Sequence, residues 1–476
     1  MIDFLQTWWP PDSHRIEDYT RRQQLFESEH CKAFSEKSAK LPEHLQSKLY
    51  LVQDYPKLIS TTFADLLFGQ APIFSLPSHQ EELNKLIADN RLNTSLYESE
   101  LSASFRGDAV FKLSVAPRHP GGKNEVLIEE VPAYTYFAEL DPDNQRRVLS
   151  QCLAWERIVT KGDREIRYLR VEHHLAGQII NKLYLIEGWT KVKEEVPLSD
   201  LYGPAAPPEV QLTKVNVPLL FHFPNLRHGS AYYGMSDYTE GLETLFDEAN
   251  QRITGIASVL DRHGDPKLMV PAGVVSKRGT VKATDLDVFE LDGSEKPEYL
   301  VWDAKLDSFF RQLEAVEEKI FQFSDVSPAM FGKDKAGNIE SGRAMMMRFA
   351  RMITRAVRKQ NYREPVICEM LYTALMLGAA NDVEGYTTAP ETKPEMVWRN
   401  GLPKDDKELT EVAAAAVDAG FMSKLTAIRY TRQVGEQEAE AELARIESER
   451  PPEPPPVTAA PDPGPVQPTA DQVSGA

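Results

Sequence analysis

The stretch "MSDYTEGLETLFDEANQRITGIASVLDRHG", residues 235–264, has the period of one long amphipathic helix. Apolar side chains recur every three or four residues and form a single stripe. The members of this stripe are Tyr238, Leu242, Leu245, Ala249, Ile253, Ile256 and Leu260. Six acidic residues and only two arginines occupy the other faces. At about 1.5 Å per residue the helix would be roughly 45 Å long, which is unusual in a compact domain.

A second helix of the same kind follows after a short interruption. Residues 265–302 read as a compact β module, and an acidic amphipathic helix then runs from Asp303 to about Phe323. Its predicted inward-facing residues are Leu306, Phe309, Phe310, Leu313, Val316 and Ile320. Two long helices on either side of a small β module predict a stalk with a head on its end.

The rest of the chain predicts an α+β protein. Residues 1 to about 105 have helical periodicity, whereas residues 108 to about 200 are short alternating runs typical of antiparallel strands. The run "VPLLFHFPN" predicts one further strand. A helix is expected from Arg343 to about Leu377, and two alanine-rich helices are expected over residues 406–449. The proline-rich tail, residues 450–476, lacks apolar periodicity and is expected to be disordered.

Composition excludes several classes of protein. The formal net charge of −18 argues against a general coat on nucleic acid. The three cysteines are far apart and predict neither a disulfide framework nor a zinc site. No stretch approaches the roughly 20 apolar residues of a membrane span, and the N-terminus lacks the pattern of a secretory signal. We therefore expect a soluble protein, made in the cytoplasm, with no membrane partner.

No motif predicts catalysis, a metal or a cofactor. The loop "GKDKAGNIESG", residues 332–342, is the nearest match to a phosphate-binding loop. Such a loop needs Ser or Thr after its Lys and a strand before it, but Lys333 is followed by Asp334 and a helix precedes the loop. The acidic run "DPDN", residues 141–144, lacks the Gly and distal Glu of a calcium loop, so we predict a turn.

Two pairs of neighbouring residues have an ordinary structural interpretation. His173 and His174 are adjacent in a predicted strand, so their side chains point to opposite faces. We expect one to be buried and one exposed, without a shared metal. Trp8 and Trp9 could anchor a partner, but the commoner case is a pair that packs against an N-terminal helix.

A basic stripe marks the helix that follows the 332–342 loop. Arg348, Arg351, Arg355 and Arg358 fall within an arc of about 80°, and residues 343–363 contain no acid. One interpretation is a solvated basic face that pairs with acids on a neighbouring element. The other is a basic surface that faces DNA phosphates or an adjacent acidic subunit. The sequence leaves both open.

Five segments, taken in order, resemble the portal proteins of tailed bacteriophages, in the siphophage-type branch. They are "FADLLFGQAP" (63–72), "ELSASFRGDAVFKLSV" (100–115), the segment from 233 to 271 that contains the opening stretch, "SPAMFGKDKAGNIESGRAMMMRFARM" (327–352) and "VWRNGLPKD" (397–405). Each motif is modest alone, and their order is specific. The resemblance spans residues 45 to 445 or so.

The resemblance implies a portal fold assembled as a head-to-tail ring of about twelve copies. It divides the chain into a wing (1–234), a first stem helix (235–264), a clip (265–302), a second stem helix (303–324), a tunnel loop (325–342), a long basic helix that returns through the wing (343–405) and a helical crown (406–449). Two acidic helices repeated around a ring would give a negative tube, which DNA can pass without being held at each phosphate.

The resemblance also implies a function without enzymatic activity. Such a ring forms the channel at one capsid vertex, through which the terminase motor packages double-stranded DNA and through which DNA is ejected. Other implied partners in the virion are the major capsid protein, the scaffold and head-completion or tail adaptor proteins. Lys333, Asp334, Lys335 and Asn338 would line the DNA channel. The four arginines of the stripe would contact an adjacent subunit or the channel wall.

Two other functions stay open from the sequence. Another ring-forming head or tail component would differ in the helix, clip, helix order. A nucleic-acid-processing enzyme with a helical-hairpin insertion would need a metal or nucleophile cluster, which the sequence does not predict.

Overall fold

Helices and strands follow one another in the blocks that the sequence predicts. The computed structural model describes residues 1–34, 50–188, 190–263, 267–271, 288–291, 298–300, 306–332, 342–399, 406–432 and 434–449. The chain divides into two units, Met1–Asp405 and Asp406–Ala476. The predicted mixed class of helix and sheet is confirmed.

Five helices lie in the described part of the first 106 residues, which leaves out residues 35–49. They are α1 (Ser13–Phe26), α2 (His30–Ala33), α3 (Tyr55–Phe68), α4 (Gln80–Asp89) and α5 (Leu92–Arg106). The helical prediction is wrong for residues 1–12, which precede α1. Pro10 and Pro11 account for this, because proline has no N–H and disfavours helical backbone in the residue before it.

A large antiparallel sheet follows in the predicted β region. Its strands are β4 (Tyr136–Leu140), β5 (Val148–Lys161), β6 (Arg164–Leu175), β7 (Gln178–Glu187) and β8 (Lys191–Glu195), and they lie side by side in that order. A short strand, β9 (Val210–Leu212), pairs with β7 beyond the part of β7 that β8 occupies. The turn predicted at residues 141–144 is confirmed, since Asn144 N donates to Asp141 O.

A smaller sheet joins the large sheet to the helical core. It contains β10 (Leu220–Pro224), β2 (Asp108–Pro117) and β3 (Asn124–Val131), in that order. β10 is the further strand predicted from "VPLLFHFPN". Two minor strands, β1 (Ile73–Ser75) and β14 (Glu395–Val397), pair with each other, and α6 (Ser199–Tyr202) lies between β8 and β9 in the chain. Phe63, Phe111 and Phe223 belong to the main buried core.

Two long helices and a small β module occupy the region of the opening stretch. α7 (Glu240–His263) packs against α8 (Leu306–Ser324). Between them, β11 (Lys267–Pro271) pairs in parallel with β12 (Val288–Leu291) and antiparallel with β13 (Glu298–Leu300). α7 begins five residues later than predicted, because the backbone before it bonds elsewhere: Asp237 N donates to Ser104 O.

The predicted apolar stripes of this helix pair are only partly buried. In α7, Leu242 and Ile256 are buried and Leu260 is exposed. In α8, Val316 and Ile320 are buried, whereas Phe310 is exposed and contradicts the inward prediction. Part of each stripe therefore has no cover among the described residues of one copy.

The long helix after the loop is α9 (Gly342–Ala380), which lies close to the predicted range. The described residues of the second unit form three helices where two were predicted: α10 (Asp406–Asp418), α11 (Lys424–Arg432) and α12 (Glu436–Ser448). Gly420, at a φ of +74°, lies just past the end of α10, a conformation that glycine adopts readily. The tail at 450–476 lies outside the described residues. No helix in the described ranges has the length and apolarity that a bilayer span needs.

The prediction for the histidine pair is wrong, because both side chains are only 1% exposed. His173 is opposite Cys152 and Ile180 in the large sheet, on the face that Phe4 and Trp9 cover. His174 lies on the other face, near Glu172, which pairs with Lys112 of β2. The sheet is covered on both faces, so alternation does not expose either residue.

The tryptophan pair is split between core and surface. Trp9 is buried and packs with Phe4 and Phe137 of the large sheet, with a centroid separation of 5.4 Å from Phe137. Trp8 is 69% exposed, and its backbone forms a bridge with Lys191 of β8. Trp9 alone therefore packs on the sheet, and the pair does not pack as a unit against a helix.

We expect His173 to make the fold sensitive to mild acid. Burial lowers the pKa of His173 to about 4, below the value of about 6.5 in an unfolded chain. The unfolded state therefore takes up a proton first, and stability falls as the pH drops from about 6.5 towards 4. In chemical denaturation at pH 7 and pH 4.5, His173→Gln should reduce this loss by on the order of 2 kcal/mol. His14→Gln, at an exposed position, is the control, and equal pH dependence in both variants would contradict the prediction.

Candidate functional site

The four residues predicted to line the channel belong to the loop between α8 and α9. Lys333, Asp334, Lys335 and Asn338 lie outside the described residues, which resume at Gly342. What the structure describes is the base from which that loop leaves: the chain after α8, up to residue 332, and helix α9 on the other side.

The four arginines of the predicted stripe do not share one surface. Arg348, Arg351 and Arg358 are exposed, whereas Arg355 is buried at 8% exposure. The prediction that Arg355 reaches an adjacent subunit or the channel wall is therefore corrected. An arc of about 80° can include both the exposed face of a helix and the margin of its buried face. Arg355 lies within that buried margin.

Arg355 belongs to a second stripe that the sequence interpretation missed. Lys359 and Arg363 follow it at intervals of four residues, so all three side chains lie on one side of α9. Lys359 and Arg363 are almost fully buried. Three buried cations on one helix require acidic partners, because an unpaired charge in the interior is very costly.

The first partner is Glu100 of α5, which binds two of these cations. Its Oε1 accepts from Lys359 Nζ at 2.8 Å, and its Oε2 accepts from Arg363 Nη2 at 2.7 Å and Nε at 3.0 Å. Arg363 also donates to the backbone oxygen of Phe223 in β10 at 3.2 Å. Glu100 thereby joins α9 to helix α5.

The second partner is Asp237, just before α7. Its Oδ2 accepts from Lys359 Nζ at 2.6 Å, and its Oδ1 accepts from Arg355 Nη2 at 2.8 Å. Ser104 and Asn225 also donate to this carboxylate. Burial alone would raise the pKa of Asp237, but the charges of Lys359 and Arg355 lower it well below its usual range. The carboxylate is therefore ionised throughout the physiological range.

The third partner is Asp325, the first residue after α8. Its Oδ2 is 3.2 Å from Arg355 Nη1, and its Oδ1 is 2.9 Å from Arg351 Nη2. The Arg351 side chain is 76% exposed, so this outer contact contributes far less than the buried ones. Burial alone would lower the pKa of the Arg355 guanidinium. The negative charges of Asp237 and Asp325 have the larger effect and raise that pKa above its usual value.

We call these seven residues the charged junction. They are Arg351, Arg355, Lys359, Arg363, Glu100, Asp237 and Asp325. Three buried cations face three carboxylates, so the interior charge balances. The junction holds four segments at fixed positions: α5, the entry to α7, the exit from α8, and α9.

Aromatic and backbone contacts support the same arrangement. The Lys359 ammonium lies 4.6 Å from the ring centroid of Phe63, and the Arg355 guanidinium lies 5.2 Å from it. Gly107 ends α5 at a φ of +105°, and a Cβ there would lie 2.6 Å from the backbone oxygen of Gly234. Only glycine allows α5 to approach the segment that carries Asp237 this closely.

The sequence contained one signal for the junction. An acid-free helix with cations at 355, 359 and 363 predicts partners on other elements, which is the first of the two interpretations of the basic stripe. The pairing with acids on other elements is confirmed for Arg351 and Arg355, but the expected solvated face is wrong for Arg355, which is buried. In the described part of the chain, no group of three His, Cys, Asp or Glu side chains is arranged to hold a metal ion.

Comparison with known proteins identifies a family. The model described as "Phage portal protein, SPP1 Gp6-like" matches residues 213–452, slightly more than half of the 476-residue chain. Comparison with curated proteins finds no match. The matched range includes β10, both helices of the α7–α8 pair, α9 and the helices of the second unit.

Solved structures with low similarity include two particle necks and a virion. The neck of a native gene transfer agent (GTA) particle, computed with C12 symmetry, has a TM-score of 0.45 and 11% identity, and the match covers 90% of this chain and 95% of that one. The neck of an empty GTA particle, computed with C6 symmetry, has a TM-score of 0.42 and 13% identity, and the match covers 82% of this chain and 94% of that one. The virion of a native GTA particle has a TM-score of 0.42 and 11% identity, and the match covers 82% of this chain and 93% of that one.

Removing one cation from the charged junction should destabilise the fold strongly. Lys359→Met takes a shared partner from Glu100 and Asp237 and leaves buried negative charge uncompensated. We expect a loss of about 3–5 kcal/mol in the free energy of unfolding, measured by chemical denaturation.

The matched control is Lys57→Met, an exposed lysine on α3. A surface change of this kind should alter the free energy of unfolding by less than about 0.5 kcal/mol. Equal effects of the two substitutions would show that the junction does not stabilise the fold.

Proposed function

This chain belongs to the phage portal protein family, SPP1 Gp6-like, and we propose that about twelve copies of it form a closed ring around a channel for double-stranded DNA. The ring sits at one vertex of a capsid. It admits DNA driven by a terminase motor, releases DNA at ejection and joins the head to the tail. Its role is structural and not enzymatic.

The family match carries this proposal. It covers the α7–α8 pair, the small β module between them, the loop and α9, which are the stem, clip, tunnel loop and long basic helix of the proposed ring. The wing, residues 1–234, lies mostly outside the matched range, and the crown, residues 406–449, lies inside it. These functional names for the segments are part of the proposal.

Exposed apolar side chains support assembly through the helix pair. Leu260 on α7 and Phe310 and Phe323 on α8 are exposed in one copy. Met346 and Met347, at the start of α9, are exposed as well. Large apolar side chains on regular helices favour burial against another surface, and in a ring the neighbouring copies supply that surface.

The charge of the helix pair supports a channel. The acids that this pair leaves exposed are Glu240 and Asp261 on α7 and Asp307, Glu314 and Glu318 on α8. Glu243 and Asp247 of α7 are buried, and Glu243 pairs with Arg21 and Arg22, so these two do not contribute to an outer surface. A ring of such pairs would have a negative wall. Each phosphate contact made by a cation must be broken as DNA advances, so a negative wall lets DNA pass with little resistance.

The loop between α8 and α9 is proposed to reach the DNA. Asp325, the first residue of this loop, pairs with Arg351 and Arg355 after it in the charged junction, so the start of the loop is held against α9. Lys333, Asp334, Lys335 and Asn338 are the proposed contacts with DNA. Arg348, Arg351 and Arg358, on the exposed side of α9, are proposed to face the adjacent subunit or the channel wall.

The remaining partners follow from family membership. A portal ring in a virion contacts the major capsid protein and the scaffold during assembly, docks the terminase, and then binds head-completion or tail adaptor proteins. We propose these partners for this chain, with assembly in the host cytoplasm.

The purified chain should form rings of about twelve copies, or a mixture of monomers and rings. Negative-stain imaging would show particles with a central hole, and native mass measurement would give the copy number. A strictly monomeric mass at every protein and salt concentration would contradict the proposal.

Replacing Lys333 and Lys335, the proposed DNA contacts, by Ala should leave rings intact and change DNA packaging or retention, because lysines that serve to contact DNA would contribute little to folding. Arg358→Glu should have the opposite effect and weaken the ring, since like charges across an interface repel. Ring formation is measured by imaging, and packaging is measured by the amount of nuclease-protected DNA.

Arg358 is suited to this test because it is exposed and no described residue pairs with it, whereas Arg355 is part of the buried charged junction. Two results together would overturn the assignment. The double variant of Lys333 and Lys335 would fail to form rings, and Arg358→Glu would show normal rings and normal packaging.

A further inference from the structure

The large sheet has a long open edge along β5. β4 pairs with β5 only up to Leu153, which is opposite Tyr136. β5 continues to Lys161 with β6 on one side. Within the described residues, no backbone hydrogen bond is made on the other side by residues 154–161. At about 3.4 Å per residue, this edge is about 27 Å long.

The hairpin geometry identifies which residues face the open edge. Lys161 is opposite Arg164 across the two-residue turn at Gly162 and Asp163, so this closing pair exchanges both of its backbone hydrogen bonds. Every second residue back from Lys161 therefore bonds to β6. The residues between them direct N–H and C=O away from β6: Ala154, Glu156, Ile158 and Thr160. Ile158 is also 58% exposed.

The opposite side of the large sheet has a second open edge, on β9. β8 is covered, because Gln6 N and Trp9 N donate to the backbone of Val192 and Thr190. β9 bonds to β7 through its alternate residues, as shown by Asn181 N to Glu209 O at 2.7 Å and Thr213 N to Gly177 O at 2.9 Å. Val210 and Leu212 therefore direct their N–H and C=O outwards. Their exposure is 50% and 72%.

A cavity lies at the start of the β5 edge. Its volume is about 790 Å³, and three consecutive edge residues, Ala154, Trp155 and Glu156, line it. Trp9, Pro132 and Tyr134 form further parts of its wall. The wall also contains the charged residues Lys112, Glu129, Glu130 and Glu172. Its aromatic and proline part, beside the unpaired backbone, is the part that suits an extended segment with apolar side chains. β9 carries two such side chains on one face, Val210 and Leu212.

We propose that β9 of one copy pairs along the open edge of β5 in the adjacent copy, so that the large sheets continue from subunit to subunit. The proposal rests on the ring described above and adds the contact that joins the wings. Backbone hydrogen bonds from Val210 and Leu212 supply the pairing. Their side chains gain cover from the cavity wall.

A second copy is favoured as the occupant because the two open edges are unlike and lie on opposite sides of one sheet. A head-to-tail ring needs two different, mutually complementary surfaces on each subunit. Unpaired edges that persisted in the assembled protein would invite uncontrolled association, which mutual pairing prevents.

Disulfide cross-linking tests the contact directly. In a Cys31→Ser background, Leu212→Cys is combined in turn with Glu156→Cys, Ile158→Cys or Thr160→Cys, which covers the possible registers. Under mild oxidation at least one combination should give a ladder of covalent oligomers up to the full ring. The control combines Leu212→Cys with Leu149→Cys, an exposed position where β4 already pairs with β5. It should give no ladder.

Ile158→Pro provides the independent test. It removes one outward N–H and leaves the β5–β6 bonds in place, and proline is tolerated where the N–H faces away from the sheet. We expect an unchanged monomer melting temperature and loss of rings, whereas Ile158→Thr, which keeps the N–H, should retain them. If Ile158→Pro does not fold, the cross-linking result decides.

The two proposals fail in distinguishable ways. Rings that form normally with Ile158→Pro and give no ladder in any register would overturn edge pairing and leave the ring intact. Absence of rings in the unmodified chain, with a cross-linked dimer between β5 and β9, would retain edge pairing and contradict the ring. A ladder as strong in the Leu149 control would show non-specific collision and overturn the contact.

Discussion

The fold depends on three buried cationic side chains of helix α9, which pair with three carboxylates from other elements. Lys359 is fully buried between Glu100 and Asp237, and its removal from water is compensated only if both partners are in place. This requirement restricts the position of α9 along its axis, because a shift by one residue would leave buried charges without partners. Apolar packing alone tolerates more variation in position. The charged junction therefore fixes the register of α9 against α5 and against the entry to α7.

That register matters because the junction lies where the chain enters and leaves the proposed channel segment. Asp237 precedes α7, and Asp325 directly follows α8. Arg355 contacts both carboxylates, so one guanidinium connects the two ends of the helix pair to the helix that follows the loop. A change in the orientation of the helix pair would have to break or rearrange this contact. The helix pair and α9 are thus expected to move as one body near the junction.

The sequence predicted the elements well and the contacts between distant elements poorly. The 3.6-residue period located α7, α8 and α9 to within a few residues, because the period is local information. Lys359 and Glu100 are 259 residues apart in the chain, and nothing local pairs them. The histidine prediction failed for a related reason: alternation along β6 is local, but the cover on the second face of the sheet comes from β2 and its neighbours. The three helices of the second unit were read as two because alanine-rich segments continue a helical pattern across a glycine.

The charged residues that stabilise one copy differ from those that are left to contact a neighbouring copy. Arg355, Lys359 and Arg363 are already neutralised within one copy, so they have no charge left to offer a neighbour. Contacts between copies must then come from what one copy leaves uncovered: apolar side chains on α7 and α8, the exposed arginines of α9, and the open edges of β5 and β9. The two open edges are unlike and lie on opposite sides of the large sheet, as a closed head-to-tail ring requires. Because the acids on the outer faces of α7 and α8 belong to neither set, the charge of the proposed channel wall can change without disturbing the charged junction.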